Sequence, residues 1–591
     1  MKRYFLLFAA LLLTCVFATS AFAAEEDEQW HEPSTPQNGH FSIVFKDSIK
    51  SGEQFSLLQG FKDINGVQNR YVCTIATLGN CGQADYFQYN AVLPVCTDTA
   101  QLDCIESVTA ISDSGLVDPG KFSKYIYKKH PNLFEPNTAL KIPRAESPSI
   151  WSFSTAKHGF GSDYAIAIGS GTQTSFQSPQ SMSNLYAYLY PVSVKTGIGD
   201  QPRDINGFSN LPECIQVQLP LSGALITGCA GGGQDGIGKY NCPLQLDANR
   251  DCLLQHEFPT GFKFQINVRL TTQPSGWLFG RLLDPSIAIT EIATGGTRVV
   301  VTASPTKVPA LYAGDSWNNL PKNIQDFYLP CIKTQSCQIM SRQARIEGPH
   351  TDPQLLNGQR GPEATEANAF NELKLWLPMV KDTMSALPSA WNFKMSSVGA
   401  LTNSNACFRS GSGLKGIVTT NATLYSEAPP VLVDSTLQYK VAAPHYRKDG
   451  SDFKGTYNLV IRSDVARCIY GFSNAPIQAS IDVVSENGTS SVATTAVSEN
   501  NGWISLSAYN FGFSAPTIKA TLKQEPPAPT TNAQTSTPAP VVTVTPTPTA
   551  TPTPKPKETM AKRTTITCVK GKTVRKVTAA KPVCPVGFKK K

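Results

Sequence analysis

Lys263–Thr271 (KFQINVRLT) and Thr297–Ala303 (TRVVVTA) are the stretches that decide the fold class. The first alternates apolar and polar residues, and the second is rich in β-branched residues. Because successive side chains of a strand point to opposite faces, such runs predict strands with one face on a core and one in water. Tyr457–Arg462 (YNLVIR) and Ile477–Val484 (IQASIDVV) repeat this texture between Gly, Asn, Asp, Ser and Pro residues. The chain is therefore predicted to be mainly β, built from several antiparallel, immunoglobulin-like β-sandwiches.

One segment breaks the β pattern. Between Glu366 and Leu387, apolar residues recur at the spacing of one helix face, and Pro378 lies within the segment. Proline removes a backbone donor and kinks a helix. We therefore predict one amphipathic helix over residues 366–387, kinked near Pro378, with its apolar stripe in the core. The stripe consists of Phe370, Leu373, Leu377, Val380, Met384 and Leu387.

The chain of 591 residues is long for a single domain. Composition shifts and the helix above divide it into six predicted regions. They are a signal peptide (1–23), a β-rich module (24–200), a second β-rich module with the helix (201–391), an immunoglobulin-like sandwich (392–525), a Pro/Thr-rich linker (526–557) and a basic module (558–591).

The N-terminus has the features of an export signal. Lys2 and Arg3 precede the apolar run Phe5–Ala18, and Ala21-Phe22-Ala23 offers small residues for cleavage. The apolar run is shorter than the roughly 20 residues that a membrane-spanning helix needs. Cleavage after Ala23 is the first interpretation, and lipidation at Cys15 is the alternative.

Fourteen cysteines follow the predicted signal peptide. An even number of cysteines outside the cytosol indicates disulfides, and no C-x-x-C or paired histidines at ligand spacing suggest structural zinc. Pairing neighbours along the chain is the simplest arrangement, although spacing alone does not fix connectivity. The predicted pairs are Cys73/Cys81, Cys96/Cys104, Cys214/Cys229, Cys242/Cys252, Cys331/Cys337, Cys407/Cys468 and Cys568/Cys584.

Motifs that would name a reaction are absent from the sequence. There is no H-E-x-x-H and no G-x-S-x-G, and the glycine-rich stretch at residues 231–239 lacks the Ser or Thr that a phosphate loop needs next. Asp247, Asn249 and Asp251 offer oxygen ligands at alternate positions, which is the one weak candidate calcium site. Cys252 stands where such a loop needs glycine, so a solvated turn is the alternative. No other cofactor is predicted.

Charge separates the C-terminus from the rest of the chain. Residues 555–591 hold twelve Lys and Arg against the single acid Glu558, whereas the mature body and linker hold 38 bases against 43 acids. Between the two, Pro526–Pro554 contains nine Pro and ten Thr and no charged residue. Such a segment favours extended polyproline II, at about 3.1 Å per residue, and buries no core. The linker is therefore predicted to be a stalk that carries the body on a cationic tail.

The tail holds Thr565–Lys572 (TITCVKGK) and Pro582–Lys590 (PVCPVGFKK). These motifs resemble a C-terminal signature that recurs on otherwise unrelated exported proteins of Gram-positive actinobacteria. The resemblance covers about twenty-eight residues, implies surface display and transfers no catalytic residue. Anionic cell-envelope polymers are the expected partner, with nucleic acid ranked well below because no aromatic residues interleave the cations. The predicted contact residues are Lys570, Lys572, Arg575, Lys576 and Lys581.

Taken together, these features predict an exported protein of the cell envelope or cell surface. Its body is expected to be structural, adhesive or ligand-binding, with an extracellular ligand such as a glycan, and is more consistent with a binding protein than an enzyme. Tyr186, Tyr188 and Tyr190 line one face of a predicted strand, either to stack sugars or as an ordinary strand covered by its neighbours. The alternative function is a secreted polysaccharide-acting hydrolase whose carboxylates are unassigned.

Overall fold

The structure is a computed structural model. It describes residues 40–47, 56–126, 133–179, 184–195, 214–218, 225–229, 244–245, 252–293, 295–334, 345–347, 355–360, 367–395, 406–409, 413–426, 429–473, 477–484, 490–492, 494–513, 517–524, 564–570, 573–579 and 589–590. The predicted signal peptide, Cys15, the calcium candidates Asp247, Asn249 and Asp251, and the Pro/Thr-rich linker lie outside these residues.

The described residues are mainly β, as predicted. Their strands in chain order are β1 (His40–Phe45), β2 (Leu57–Ile64), β3 (Val67–Val72), β4 (Tyr86–Val92), β5 (Cys104–Ser112), β6 (Val117–Pro119), β7 (Lys121–Tyr125), β8 (Ser149–Ser152), β9 (Asp163–Thr174), β10 (Asn184–Lys195), β11 (Cys214–Gln218), β12 (Leu225–Cys229), β13 (Leu244–Gln245), β14 (Cys252–Gln255), β15 (Phe262–Leu270), β16 (Gly276–Arg281), β17 (Leu283–Glu291), β18 (Thr297–Ser304), β19 (Thr306–Lys307), β20 (Leu311–Ser316), β21 (Arg345–Glu347), β22 (Leu355–Arg360), β23 (Ser389–Met395), β24 (Leu414–Thr420), β25 (Leu424–Tyr425), β26 (Val431–Val433), β27 (Thr436–Ala442), β28 (Gly455–Arg462), β29 (Ile477–Val484), β30 (Ser490–Val492), β31 (Thr494–Asn500), β32 (Trp503–Phe511), β33 (Thr517–Gln524), β34 (Thr564–Lys570), β35 (Thr573–Ala579) and β36 (Lys589–Lys590).

Among the residues that the structure describes, helices are few and short. They are α1 (Lys322–Thr334), α2 (Ala367–Trp376), α3 (Ala406–Arg409) and α4 (Ser463–Tyr470), and short 3₁₀ turns occupy Gly79–Gln83, Trp317–Asn319 and Leu377–Val380. Within the described part of the chain, no helix combines the length and hydropathy that crossing a bilayer requires.

The helix predicted over residues 366–387 is shorter in the structure. Regular α-helix ends at Trp376, and the 3₁₀ turn that contains Pro378 ends at Val380. Lys381 and Asp382 then adopt left-handed backbone conformations, with φ of 53° and 59°, which stop the helix. The apolar stripe serves two cores: Leu373 packs with α1, whereas Met384 and Leu387 pack against the central sheet described next.

A long central sheet runs through most of the chain. Its main path has the order β3-β2-β4-β9-β10-β23-β16-β24-β28-β32-β31. Neighbours along it are antiparallel except β16 and β24, which are parallel. Strands from all three predicted β-modules lie in this sheet, so the boundaries expected near residues 200 and 391 do not coincide with a break between sheets. Residues 1–527 form one compact unit and residues 528–591 a second.

Smaller sheets cover both faces of the central sheet. One face packs on the sheet β17-β18-β15-β5-β6, in a core that includes Ile166, Trp391, Ile266 and Val301. The other face packs on the sheet β25-β27-β33-β29-β30, in a core that includes Phe279, Leu459, Tyr439 and Ile518. These layers give the face-to-face sheet packing of β-sandwiches, and β16 and β24 of the central sheet are buried along their whole length because both faces are covered.

A third core lies beside the sheet β20-β1-β22-β21, where β1 and β22 are parallel. Helices α1 and α2 contribute Tyr328 and Trp376 to it. The Tyr328 hydroxyl donates to Oε1 of the buried Glu372 over 2.6 Å and accepts from the Trp376 indole over 2.8 Å. A buried carboxylate is tolerated when it accepts such hydrogen bonds.

Three disulfides are present among the described residues. Cys73–Cys81 and Cys96–Cys104 each close a short loop, and Cys407–Cys468 joins α3 to α4 across a sequence separation of 61. Cys214 lies directly opposite Cys229 in the register of β11 and β12, where a disulfide between them remains a prediction. Cys242, Cys337 and Cys584 lie outside the described residues.

The second unit contains a three-stranded sheet of order β35-β34-β36. Cys568 is opposite Arg575 on one side and Lys590 on the other. Lys570 pairs with Thr573, and Lys576 pairs with Thr567. The predicted contact residues Lys570, Arg575 and Lys576 thus lie on β34 and β35. Lys572 and Lys581 lie outside the described residues.

Candidate functional site

A tight turn between β8 and β9 presents an exposed aromatic ring. His158 and Gly161 exchange two backbone hydrogen bonds, of 2.9 and 3.2 Å, which close the turn around Gly159 and Phe160. The Phe160 side chain at its tip is 64% exposed, an unusual position for a large apolar residue. The turn therefore places one aromatic face in solvent.

Two histidines lie beneath Phe160. Its ring stacks on the ring of His256, with centroids 4.0 Å apart and planes at 16°, and the His256 ring in turn stacks on His158 at 5.4 Å and 20°. His256 directly follows β14, and its backbone N–H donates to the Pro191 carbonyl over 2.9 Å. Both histidines are only 7% exposed. The three rings form a short column with Phe160 outermost, which we call the ring column.

Hydrogen bonds orient the two imidazoles. In His158, Nδ1 accepts from the Phe160 backbone N–H over 3.3 Å, so Nε2 carries the hydrogen and donates to the Asp163 carbonyl over 3.1 Å. In His256, Nε2 lies 2.6 Å from the Ser193 hydroxyl on β10. Its Nδ1 is buried and has no hydrogen-bond partner among the described residues. An orphaned buried nitrogen costs stability in either tautomer.

Both imidazoles are held neutral near pH 7. Burial, together with a smaller effect of the nearby His158, lowers the pKa of His256 to about 4. Burial also lowers the pKa of His158, against the opposing influence of Asp163. A neutral imidazole stacks on an aromatic ring without the cost of burying a charge. The ring column is thus electrically uncharged under ordinary conditions.

A second group of interest contains two carboxylates near Tyr125. Glu146 is half-buried, and its backbone N–H donates to the Val92 carbonyl. Arg144 Nε lies 3.6 Å from Glu146 Oε1. Burial raises the pKa of Glu146, Arg144 opposes the rise, and the negative charge of Glu135 adds to it. Glu135 is exposed. Two carboxyl groups in different environments are the minimum that glycoside hydrolysis needs.

A third group joins two loops. His445 Nδ1 lies 2.5 Å from Asp382 Oδ2, and the His445 backbone N–H donates to Asp382 Oδ1 over 3.0 Å. Asp382 is one of the two left-handed residues that end the 3₁₀ turn after α2. Because the carboxylate is held from two directions, this contact fixes the loop before β28 to the segment after α2.

The other aromatic residues singled out in the sequence are covered. Tyr186, Tyr188 and Tyr190 share one face of β10, as their spacing predicts, and all three are buried. They are an ordinary strand face covered by its neighbours and present no ring to a sugar. Within the residues that the structure describes, no group of three or more His, Cys, Asp or Glu is arranged to hold a metal ion.

Sequence reasoning missed the ring column. The seven histidines are scattered along the chain, and nothing in their spacing indicates that His158 and His256 meet. One local signal was available, since Gly159 and Gly161 flank an aromatic residue and indicate a turn that exposes it. The stacking partner arrives through the pairing of β10 with β14, which no local pattern predicts.

Comparison with known proteins adds no relative, since no protein-family model, no curated protein and no solved structure matches this chain. A proposal about its function therefore rests on its own residues.

Proposed function

We propose that this protein is displayed at a cell envelope and binds an extracellular ligand that carries a ring with an apolar face, of which a glycan is the leading example. The exposed ring of Phe160, fixed on His256, is the observation that carries the proposal. In this proposal the body is a binding module and not an enzyme, and the cationic tail attaches it to anionic envelope polymers.

The rigidity of Phe160 supports a binding role. Its inner face is already in contact at 4.0 Å, and its turn is closed by two backbone hydrogen bonds. A ligand that stacks on the outer face therefore loses little freedom in ordering the protein, which favours affinity. Lys157, Ser162 and Asp163 flank the turn and are at least partly exposed. They supply the polar groups that hydroxyl-rich ligands require beside an aromatic face.

The composition of the second unit supports attachment. The basic tail carries a net charge of opposite sign to the body, and its strands β34 and β35 include Lys570, Arg575 and Lys576. Cations concentrated in one short segment suit contact with an extended polyanion. Attachment of this kind is screened by salt.

The binding test uses the full mature chain on a glycan array, followed by titration of the best ligand. Phe160→Ala is expected to weaken binding by up to about tenfold, because one aromatic stacking contact contributes about 0.5 to 1.5 kcal/mol. Phe176→Ala is the matched control, since Phe176 is also exposed and packs edge-on against Phe87 instead of forming part of the ring column. Equal affinity of Phe160→Ala and wild type would exclude Phe160 as the contact.

The attachment test compares the full chain with a version that ends at Glu525 on isolated cell envelopes across a salt gradient. We expect retention of the full chain at low salt and its release at high salt, while the truncated chain washes off throughout. Equal retention of both at low salt contradicts the role of the tail.

A second candidate function is hydrolysis of a polysaccharide by Glu146 and Glu135. The observation that favours it is the raised pKa of the half-buried Glu146 beside a second carboxylate, as expected for a general acid. Polysaccharide hydrolysis by wild type that Glu146→Gln abolishes, while the variant is at least as thermally stable as wild type, replaces the binding proposal with the enzyme. Absence of hydrolysis on a broad polysaccharide panel removes this candidate.

A further inference from the structure

We propose that His158 and His256 form an acid-sensitive latch beneath Phe160, so that protonation of the two imidazoles opens the turn at residues 158–161 and releases the bound ligand. Opening of the turn stands on the structure alone, and release of a ligand rests also on the binding function proposed above.

The first step is the dependence of Phe160 on an uncharged imidazole. His256 is the surface on which Phe160 lies, and it is sandwiched between Phe160 and His158. Protonation at Nδ1 would bury an N–H⁺ group with no acceptor among the described residues. A buried cation without a partner is strongly disfavoured, so the charged ring moves toward water. Phe160 stands between that ring and water.

The second step concerns the hydrogen bond inside the turn. His158 Nδ1 accepts from the Phe160 backbone N–H while Nε2 donates to the Asp163 carbonyl. A protonated imidazole has two donors and no acceptor, so protonation removes the bond to Phe160. Protonation of His158 therefore breaks the hydrogen bond that holds the Phe160 backbone N–H inside the turn.

The charged groups around the rings do not cancel the effect. On the turn and β9, Asp163 faces His158 and favours its charged form only in part, while Lys157 is exposed. On β10, the residue that contacts His256 is the neutral Ser193. The Tyr164 ring packs edge-on against His158, and its hydroxyl donates to the Ala156 carbonyl. Glu257 adjoins His256, but its carboxylate accepts from the Ser389 backbone N–H. Asp118 is held by Ser154 and Thr155.

The size of the response follows from the closed and open states. The closed state holds the pKa of His256 at about 4, whereas a solvent-exposed histidine titrates near its ordinary value of 6.5. Since the open state binds the proton more tightly, acidification from pH 7.5 to pH 4 raises the ratio of open to closed turn by about two orders of magnitude. Protonation of His158 acts in the same direction.

Hydrogen exchange of the full mature chain, corrected for the intrinsic effect of pH on exchange, measures the opening. We expect peptides that cover residues 157–163 to lose protection at least tenfold between pH 7.5 and pH 4.5, and to regain it on return to pH 7.5. Strand β10 is the internal reference and keeps its protection. Unchanged protection of residues 157–163 at pH 4.5 overturns the latch.

Two variants test the mechanism, and a third is a control. His256→Phe keeps a ring under Phe160 but does not titrate, so residues 157–163 stay protected at pH 4.5. If that variant fails to fold, His158→Gln serves instead, and it is expected to shrink the response because the neighbouring charge is gone. His445→Phe removes an imidazole elsewhere and keeps the wild-type response. An undiminished acid response in a folded His256→Phe or His158→Gln protein overturns the latch.

Ligand binding separates the two proposals. Loss of glycan binding at pH 4.5 in wild type and its persistence in His256→Phe support the latch acting on the binding site. Opening of the turn in a protein that binds no glycan at any pH supports the latch and removes the proposed function. Binding that persists while the turn opens overturns ligand release by the latch.

Discussion

The guanidinium of Arg281 and the carboxylate of Asp47 form two hydrogen bonds of 2.8 Å, although 234 residues separate them in the chain. Arg281 is fully buried at the end of β16, and its remaining donors reach the carbonyls of Thr420 and Thr423. This contact ties the strand β1 to the central sheet.

Asp47→Ala is expected to lower the free energy of unfolding by about 3 kcal/mol, because it leaves a buried cation without its counter-ion. Denaturant unfolding at pH 7 measures the change. Asp326→Ala is the control, since its partner Lys322 is exposed on the surface of α1 and such a pair contributes about 0.5 kcal/mol or less. Similar losses for both variants contradict the structural role of Asp47.

Gly169→Ala should also destabilise the protein. A Cβ atom at residue 169 would lie 2.1 Å from the hydroxyl oxygen of the buried Tyr186 and 2.8 Å from the Ala91 carbonyl oxygen. Overpacking of this kind typically costs about 1 to 3 kcal/mol, seen as a lower melting temperature. Gly512→Ala has open space around its Cβ and is expected to change the melting temperature little.

The disulfides are expected to differ in their contribution. Replacing both Cys407 and Cys468 by Ala removes a link across a sequence separation of 61, whereas the Cys73/Cys81 pair spans 8. The chain-entropy description gives losses of about 4 and about 2.5 kcal/mol, respectively. Denaturation under non-reducing conditions compares the two double variants. A larger loss for Cys73/Cys81 would contradict the entropic account.

Glu146→Gln should stabilise the protein at neutral pH and not in acid. Burial raises the pKa of Glu146 in the folded state, so the folded state binds its proton more tightly than the unfolded chain does. The stability this provides is complete below the unfolded pKa, near 4.5, and is lost as pH rises through the folded pKa. Melting temperatures at pH 3.5 and pH 7.5 should thus show a gain for Glu146→Gln only at pH 7.5. A gain of equal size at both values contradicts the argument.

The fold class was readable from the sequence because alternation survives in the structure. Phe264, Ile266 and Val268 of β15 are buried, while the residues between them are partly exposed. The partners of that strand, β5 and β18, were not readable, because nothing in the sequence of β15 distinguishes them from the other strands. Many strands of similar composition leave the pairing to be decided by the packing of the whole unit.

The extent of the helix was misjudged because its end depends on a tertiary contact. Periodicity continues past Val380 in the sequence, but Lys381 and Asp382 leave the helical conformation and Asp382 is held by His445. A tertiary contact thus overrides the local pattern. The ring column was missed for a related reason, since Phe160, Ser193 and His256 come from separate segments.

The central sheet has a consequence for how the protein reaches its native state. Within it, β10 pairs with β9, which is close in sequence, and also with β23, which is far along the chain. Outside it, β1 pairs only with strands that come much later in the sequence, β20 and β22. High contact order of this kind slows folding, because long loops must close before the pairing that stabilises them. The first half of the chain therefore cannot complete its sheets as it is synthesised. The central sheet is completed only when the later strands have emerged.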